Sequence, residues 1–72
     1  MEEVKYPVIR GTYQHYKGGI YEVLMMATHT ETAEPMVVYK STLFGSNYCR
    51  PLSYWNKEAD NGKERFVLIK TR

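Results

Sequence analysis

The chain has 72 residues, with 10 Lys plus Arg against 8 Asp plus Glu, one Cys, seven Tyr, two Phe and one Trp. That length holds one domain, residues 1–72, around one core; the lone thiol Cys49 excludes an internal disulfide, and no Cys/His cluster has the spacing of a structural zinc site, so neither metal nor cofactor is expected. A formal charge of +2, with Glu22, Glu31, Glu34, Glu58 and Glu64 interspersed among the bases, is too mild to demand nucleic acid, and no apolar run approaches the roughly 18 residues of a membrane span.

Met1-Glu2-Glu3-Val4-Lys5 opens with acids and lacks the basic start and apolar run of a signal peptide. With a single thiol, this predicts a reducing cytoplasmic setting, and residues 1–6 are expected to be poorly ordered. Gly11 and the pair Gly18-Gly19 bracket Thr12 to Lys17 as a short opening strand. From Ile20 to Thr30 the residues are rich in Val, Ile, Thr and Tyr. A two-residue period there puts Tyr21, Val23, Met25 and Ala27 on the core face, with Glu22 turned away and Leu24 and Met26 on the partly covered opposite side.

Glu31-Thr32-Ala33-Glu34 has the composition of a turn, and Pro35, unable to donate to a ladder, marks the start of a returning strand running to about Leu43. Val37 and Tyr39 of that strand are expected in the core, in a register the sequence does not fix. Gly45-Ser46-Asn47 makes the next turn, before a short strand around Tyr48-Cys49-Arg50. Pro51 suits a first helical position, and Leu52 and Trp55, three apart, predict one short helical or 3₁₀ turn. Asn61-Gly62 reads as a tight turn before a last strand, Phe66-Val67-Leu68-Ile69. About five strands and one helical turn in this length fit a small SH3-like barrel, open or closed, with an OB-like barrel as its competitor. The fold class is therefore mainly β. Without a disulfide or metal, so small a domain relies on its aromatic side chains for a core, or on a partner, and a monomer or weak homodimer is expected.

Three clusters stand out: Gly11-Thr12-Tyr13-Gln14-His15-Tyr16-Lys17-Gly18 with Tyr21 and Val23; Ala27-Thr28-His29-Thr30-Glu31-Thr32-Ala33-Glu34 with Val37-Val38-Tyr39; and Arg50-Pro51. In order and spacing they resemble a small bacterial family known as domain of unknown function sixteen fifty-three, over about Gly11 to Phe66. The chain departs from that family's pattern at Tyr48-Cys49, where a Trp usually stands shortly before Arg-Pro. The resemblance implies a bacterial or phage origin and a compact single domain, and it lends no activity.

His15, His29 and Glu31 offer two imidazoles and a carboxylate for a metal or acid/base site, if the sheet brings them together. The plainer reading of His-Thr-Glu-Thr is turn chemistry at a hairpin end. Arg50 can grip a carboxylate or phosphate with its planar fork, its plainer reading being a salt bridge to Glu31 or Glu34. Cys49 beside Arg50 lacks an adjacent base and reads as a small core hydrophobe. Tyr13, Tyr16, Tyr39, Tyr48, Tyr54 and Trp55 can line a groove for a peptide or for bases, although about half of them must serve the core. These features point to a binding module rather than an enzyme, with His15, Tyr16, Lys17, His29, Glu31, Tyr39 and Arg50 as its ligand-binding residues. Protein or peptide is the favoured partner. Nucleic acid is the second option, and it requires Lys17, Lys40, Arg50 and Arg65 to share a face. The rival function is a small metal-dependent or acid/base enzyme built on His15, His29 and Glu31.

Overall fold

The computed structural model describes residues 6–56 and 64–71. The Asn61-Gly62 turn and residues 1–5 of the segment 1–6 expected to be poorly ordered lie outside them. Five strands, β1 (Thr12–His15), β2 (Ile20–Thr28), β3 (Pro35–Ser41), β4 (Asn47–Pro51) and β5 (Phe66–Lys70), form one antiparallel sheet in the order β4-β3-β2-β1-β5. Between β4 and β5 the chain makes the short helix α1 (Leu52–Trp55). The mainly-β expectation holds, and the sheet is open: β4 and β5 are its edges and do not pair with each other.

Local chemistry explains most of the boundaries. Pro35 starts β3, where its missing N–H costs nothing. Gly18 adopts φ +104° in the turn that closes β1 onto β2, with Gly18 N–H donating to His15 O at 2.7 Å and His15 N–H to Gly19 O at 2.7 Å. A residue with a Cβ is strained at that angle, so this glycine fixes where the neighbouring Tyr16 and Lys17 emerge. Pro51 ends β4 and caps α1, one position earlier than the first helical place. Four residues cannot hold a helix unaided, so α1 depends on packing Leu52 and Trp55 into the core.

That core is Tyr13, Val23, Val37, Tyr39, Leu52, Trp55 and Phe66, with Tyr21 and Met26 packed against it. Val37 and Tyr39 are where the sequence puts them. Met25 and Ala27 are not: both are exposed, Met25 to 53%. The cause is a bulge at Leu24. Val23 stands opposite Tyr39, but Met25 stands opposite Val38 and Met26 opposite Val37. One extra residue in β2 reverses which side chains face inward, so beyond Val23 it is Met26 that turns to the core. This phase is testable by urea denaturation. Met25→Lys is expected to change stability by no more than about 0.5 kcal/mol, whereas Met26→Lys, which sets an unpaired ammonium against the core, costs roughly 2 kcal/mol. Equal effects of the two substitutions would contradict the bulge.

Candidate functional site

Both histidines begin turns, and both do the same local work. His15 Nδ1 accepts from the backbone N–H of Lys17 at 3.2 Å, and His29 Nδ1 accepts from that of Glu31 at 3.2 Å and of Thr32 at 3.4 Å. Their surroundings differ. His15 lies on the β1–β2 turn and His29 just past the far end of β2, a strand of nine residues spanning roughly 27–30 Å. The proposed combination of His15, His29 and Glu31 is therefore not assembled, and among the described residues no three His, Cys, Asp or Glu side chains gather as metal ligands. Around His29 the plainer reading is the one observed: Glu34 Oε1 accepts from the Thr32 hydroxyl at 3.2 Å, and Ala33 completes the turn with φ +62°. Glu31 contributes its backbone N–H there.

The other five predicted residues converge. Tyr16 and Phe66 flank the His15 ring, with centroids at 4.5 and 4.9 Å. The backbone N–H of Tyr16 donates to Arg65 O at 3.0 Å, which ties the β1–β2 turn to the start of β5 and sets the Arg65 side chain beside the Tyr16 ring. Lys17 Nζ is 5.7 Å from the Tyr16 centroid, and the Arg65 guanidinium is also 5.7 Å from it. Arg65 is in turn 4.9 Å from the Tyr54 ring, and Arg50 is 4.6 Å from that same ring. Arg50 finally donates from Nε to the Tyr39 hydroxyl at 3.0 Å. Lys17, Tyr16, Arg65, Tyr54 and Arg50 thus form a row in which cations and rings alternate.

The salt bridge envisaged from Arg50 to Glu31 or Glu34 is absent; among the described residues the ion pair is Arg10 to Glu22, at 3.3 Å. Lys40 is separated from the row, because it alternates with inward-facing Tyr39 and stands across the strands from Glu22 and Asn47. Of the six groove aromatics, Tyr13, Tyr39 and Trp55 are buried, whereas Tyr16, Tyr48 and Tyr54 are exposed. Tyr54 and Arg65 were outside the seven predicted site residues, and Arg65 is brought in by pairing β5 with β1, a contact between residues some fifty positions apart.

Electrostatics agree with the geometry. Burial holds the pKa of His15 below its ordinary value of 6.5, and the positive charges of Arg65, Arg50 and Lys17 lower it further. At neutral pH the ring is uncharged; with Nδ1 accepting, its proton is on Nε2, which is free to donate. Burial opposes the charge of Arg50, but its hydrogen bonds to the Tyr39 and Tyr54 hydroxyls keep its pKa above the usual arginine value. For Tyr39 burial dominates and raises the phenol pKa, against the lowering effect of Arg50. The Tyr39 hydroxyl is therefore neutral, and because it accepts from Arg50 its own proton remains available. Arg65 Nε is buried and has no hydrogen-bond partner among the described residues. The row offers donors and positive charge.

A family model described as "Protein of unknown function (DUF1653)" matches residues 11–68. A crystal structure of a DUF1653 protein from Bordetella bronchiseptica superposes with a TM-score of 0.74 at 32% identity, covering 88% of each chain. No curated protein matches the chain.

Proposed function

The chain belongs to the DUF1653 family, and from that premise we propose that it is a non-enzymatic binding module whose ligand is a multivalent anion held by Arg50, Arg65 and Lys17. The observation that carries this reading is the row of three cations with no carboxylate paired to Arg50 or Arg65 among the described residues. Like charges placed together are unfavourable without a counter-charge, and an anion supplies it. His15 Nε2–H and the Tyr39 hydroxyl add neutral donors beside the cations. No residue in the row needs to exchange a proton or form a bond, which favours binding over catalysis. The exposed free thiol of Cys49 supports the reducing cytoplasm as its setting.

The test is a titration with sodium tripolyphosphate, followed by the NMR signals of the arginine Nε–H groups and the imidazoles. Shifts are expected at Arg50, Arg65 and His15, and none at His29, which is remote. The pH dependence has a definite sign. The unliganded fold disfavours His15 imidazolium, so the stability this group supports is fully present above pH 6.5 and is lost as pH falls through its lowered pKa. A bound anion offsets the three cations and raises that pKa, so binding takes up a proton and affinity rises as pH falls below 6.5. Affinity that is flat or declining over that interval, or shifts of equal size at His29, would count against the site.

A further inference from the structure

Resting on the anion-binding reading, we infer that the ligand is a single-stranded nucleic acid, whose phosphates meet the three cations and whose bases meet the exposed rings. Charge alone does not explain the row. A carboxylate-rich peptide satisfies Lys17, Arg65 and Arg50 through charge, whereas Tyr16, Tyr48 and Tyr54, which are 37%, 44% and 39% exposed, add aromatic surface beside those cations that charge alone does not call for. Tyr48 follows Asn47 in β4, two positions before Arg50, and its ring is 5.7 Å from that of Tyr39, the residue Arg50 grips. It adds to the aromatic surface around Tyr39, where it also meets Tyr21 at 6.3 Å. Rings and guanidinium planes are platforms on which unstacked bases lie, and every base has a face to offer, so such a surface tolerates many sequences. Duplex bases are stacked on one another and present no face, so a duplex engages the cations alone. The polar recognition is equally one-sided: Arg, Lys, a His Nε2–H and a Tyr hydroxyl that accepts from Arg50 all give protons to phosphate oxygens. The four-base face expected of a nucleic-acid binder is not formed, because Lys40 stands on the opposite side of the sheet; the inference rests on the three cations of the row with their rings, and Lys40 provides an internal control.

The experiment is anisotropy of a fluorescein-labelled oligothymidylate with the full chain, over about 50 to 200 mM salt. Three phosphate contacts on a single strand give a slope of log K against log salt near −2, or about a 20-fold loss of affinity across that range. Lys17→Ala is expected to flatten the slope by roughly 0.7, Tyr16→Leu to weaken binding roughly tenfold through lost stacking and more than the ring-preserving Tyr16→Phe, and Lys40→Ala to leave it unchanged. Polyaspartate competing as well as the oligonucleotide at equal charge, a duplex binding as tightly as the single strand, or Tyr16→Leu binding like Tyr16→Phe would each overturn the inference. The two levels separate cleanly. Tripolyphosphate shifts at Arg50 and Arg65 without oligonucleotide binding overturn the nucleic-acid assignment and leave the anion site standing, whereas silence toward both overturns both.

Discussion

Trp55→Ala is expected to cost about 3–5 kcal/mol, enough to leave a domain of this size partly unfolded at room temperature. The Trp55 ring stacks on Phe66 with centroids 3.8 Å apart and planes 5° from parallel, and it meets Tyr13 and Tyr39 edge-on at 5.2 and 5.3 Å. Those four rings join α1, β1, β3 and β5. Total stability for 72 residues is about 4–11 kcal/mol by the usual per-residue range, so a single cavity here removes about a quarter of it or more. Trp55→Phe keeps the stack on Phe66 and should cost roughly 1 kcal/mol. The measurement is a urea midpoint by far-UV circular dichroism, since the substitution also removes the only Trp. A loss below about 1 kcal/mol for the alanine variant would mean that the ring cluster is not what holds the sheet and α1 together. Because α1 carries Tyr54 next to Trp55, the same substitution should release Tyr54 from between Arg50 and Arg65, so that anion binding falls with the fold.

The elements announced by local chemistry were legible. Pro35, the glycine at position 18 and the Pro51-Leu52-Ser53-Tyr54-Trp55 segment act within a few residues of themselves, and a reading by period and turn type finds them. The bulge at Leu24 was not legible, because Ile20 to Thr28 contains no Gly or Pro to mark it; the extra residue is defined only by what β3 places opposite. Nothing in β2 alone distinguishes Met25 from Met26. The site divides the same way. His15, Tyr16 and Lys17 are neighbours in sequence and stayed neighbours in space, whereas His29 and Glu31, similar in kind, were carried to the far end of β2 by the length of that strand. Arg65 entered through the β1–β5 ladder, a pairing with no local trace. The basic charge of Arg65 did place it with Lys17 and Arg50 among the residues expected on one face, although Lys40, expected with them, stands on the other.

Arg50→Lys is expected to lose about tenfold in tripolyphosphate affinity and about 1–2 kcal/mol in stability although the charge is kept. The guanidinium does two things that an ammonium cannot do together. It lies over the Tyr54 ring at 4.6 Å, and from the same plane it donates Nε–H to the Tyr39 hydroxyl at 3.0 Å. Tyr39 is 5% exposed, so losing that donor leaves its oxygen poorly solvated. It also frees the ring that sets the edge of the site. Tyr39→Phe removes the oxygen itself and separates the two contributions. If the contact carries the stability loss, Arg50→Lys should cost distinctly less in the Tyr39→Phe background, with a coupling of about 0.5–3 kcal/mol in a double-mutant cycle by urea denaturation. The affinity loss should persist in that background, because it comes from the planar fork presented to the anion. Additive stability effects would show that the 3.0 Å hydrogen bond is dispensable. Undiminished affinity of Arg50→Lys would show that the site senses charge at this position and not geometry, and that Arg50 is one of several interchangeable cations instead of the fixed end of the row.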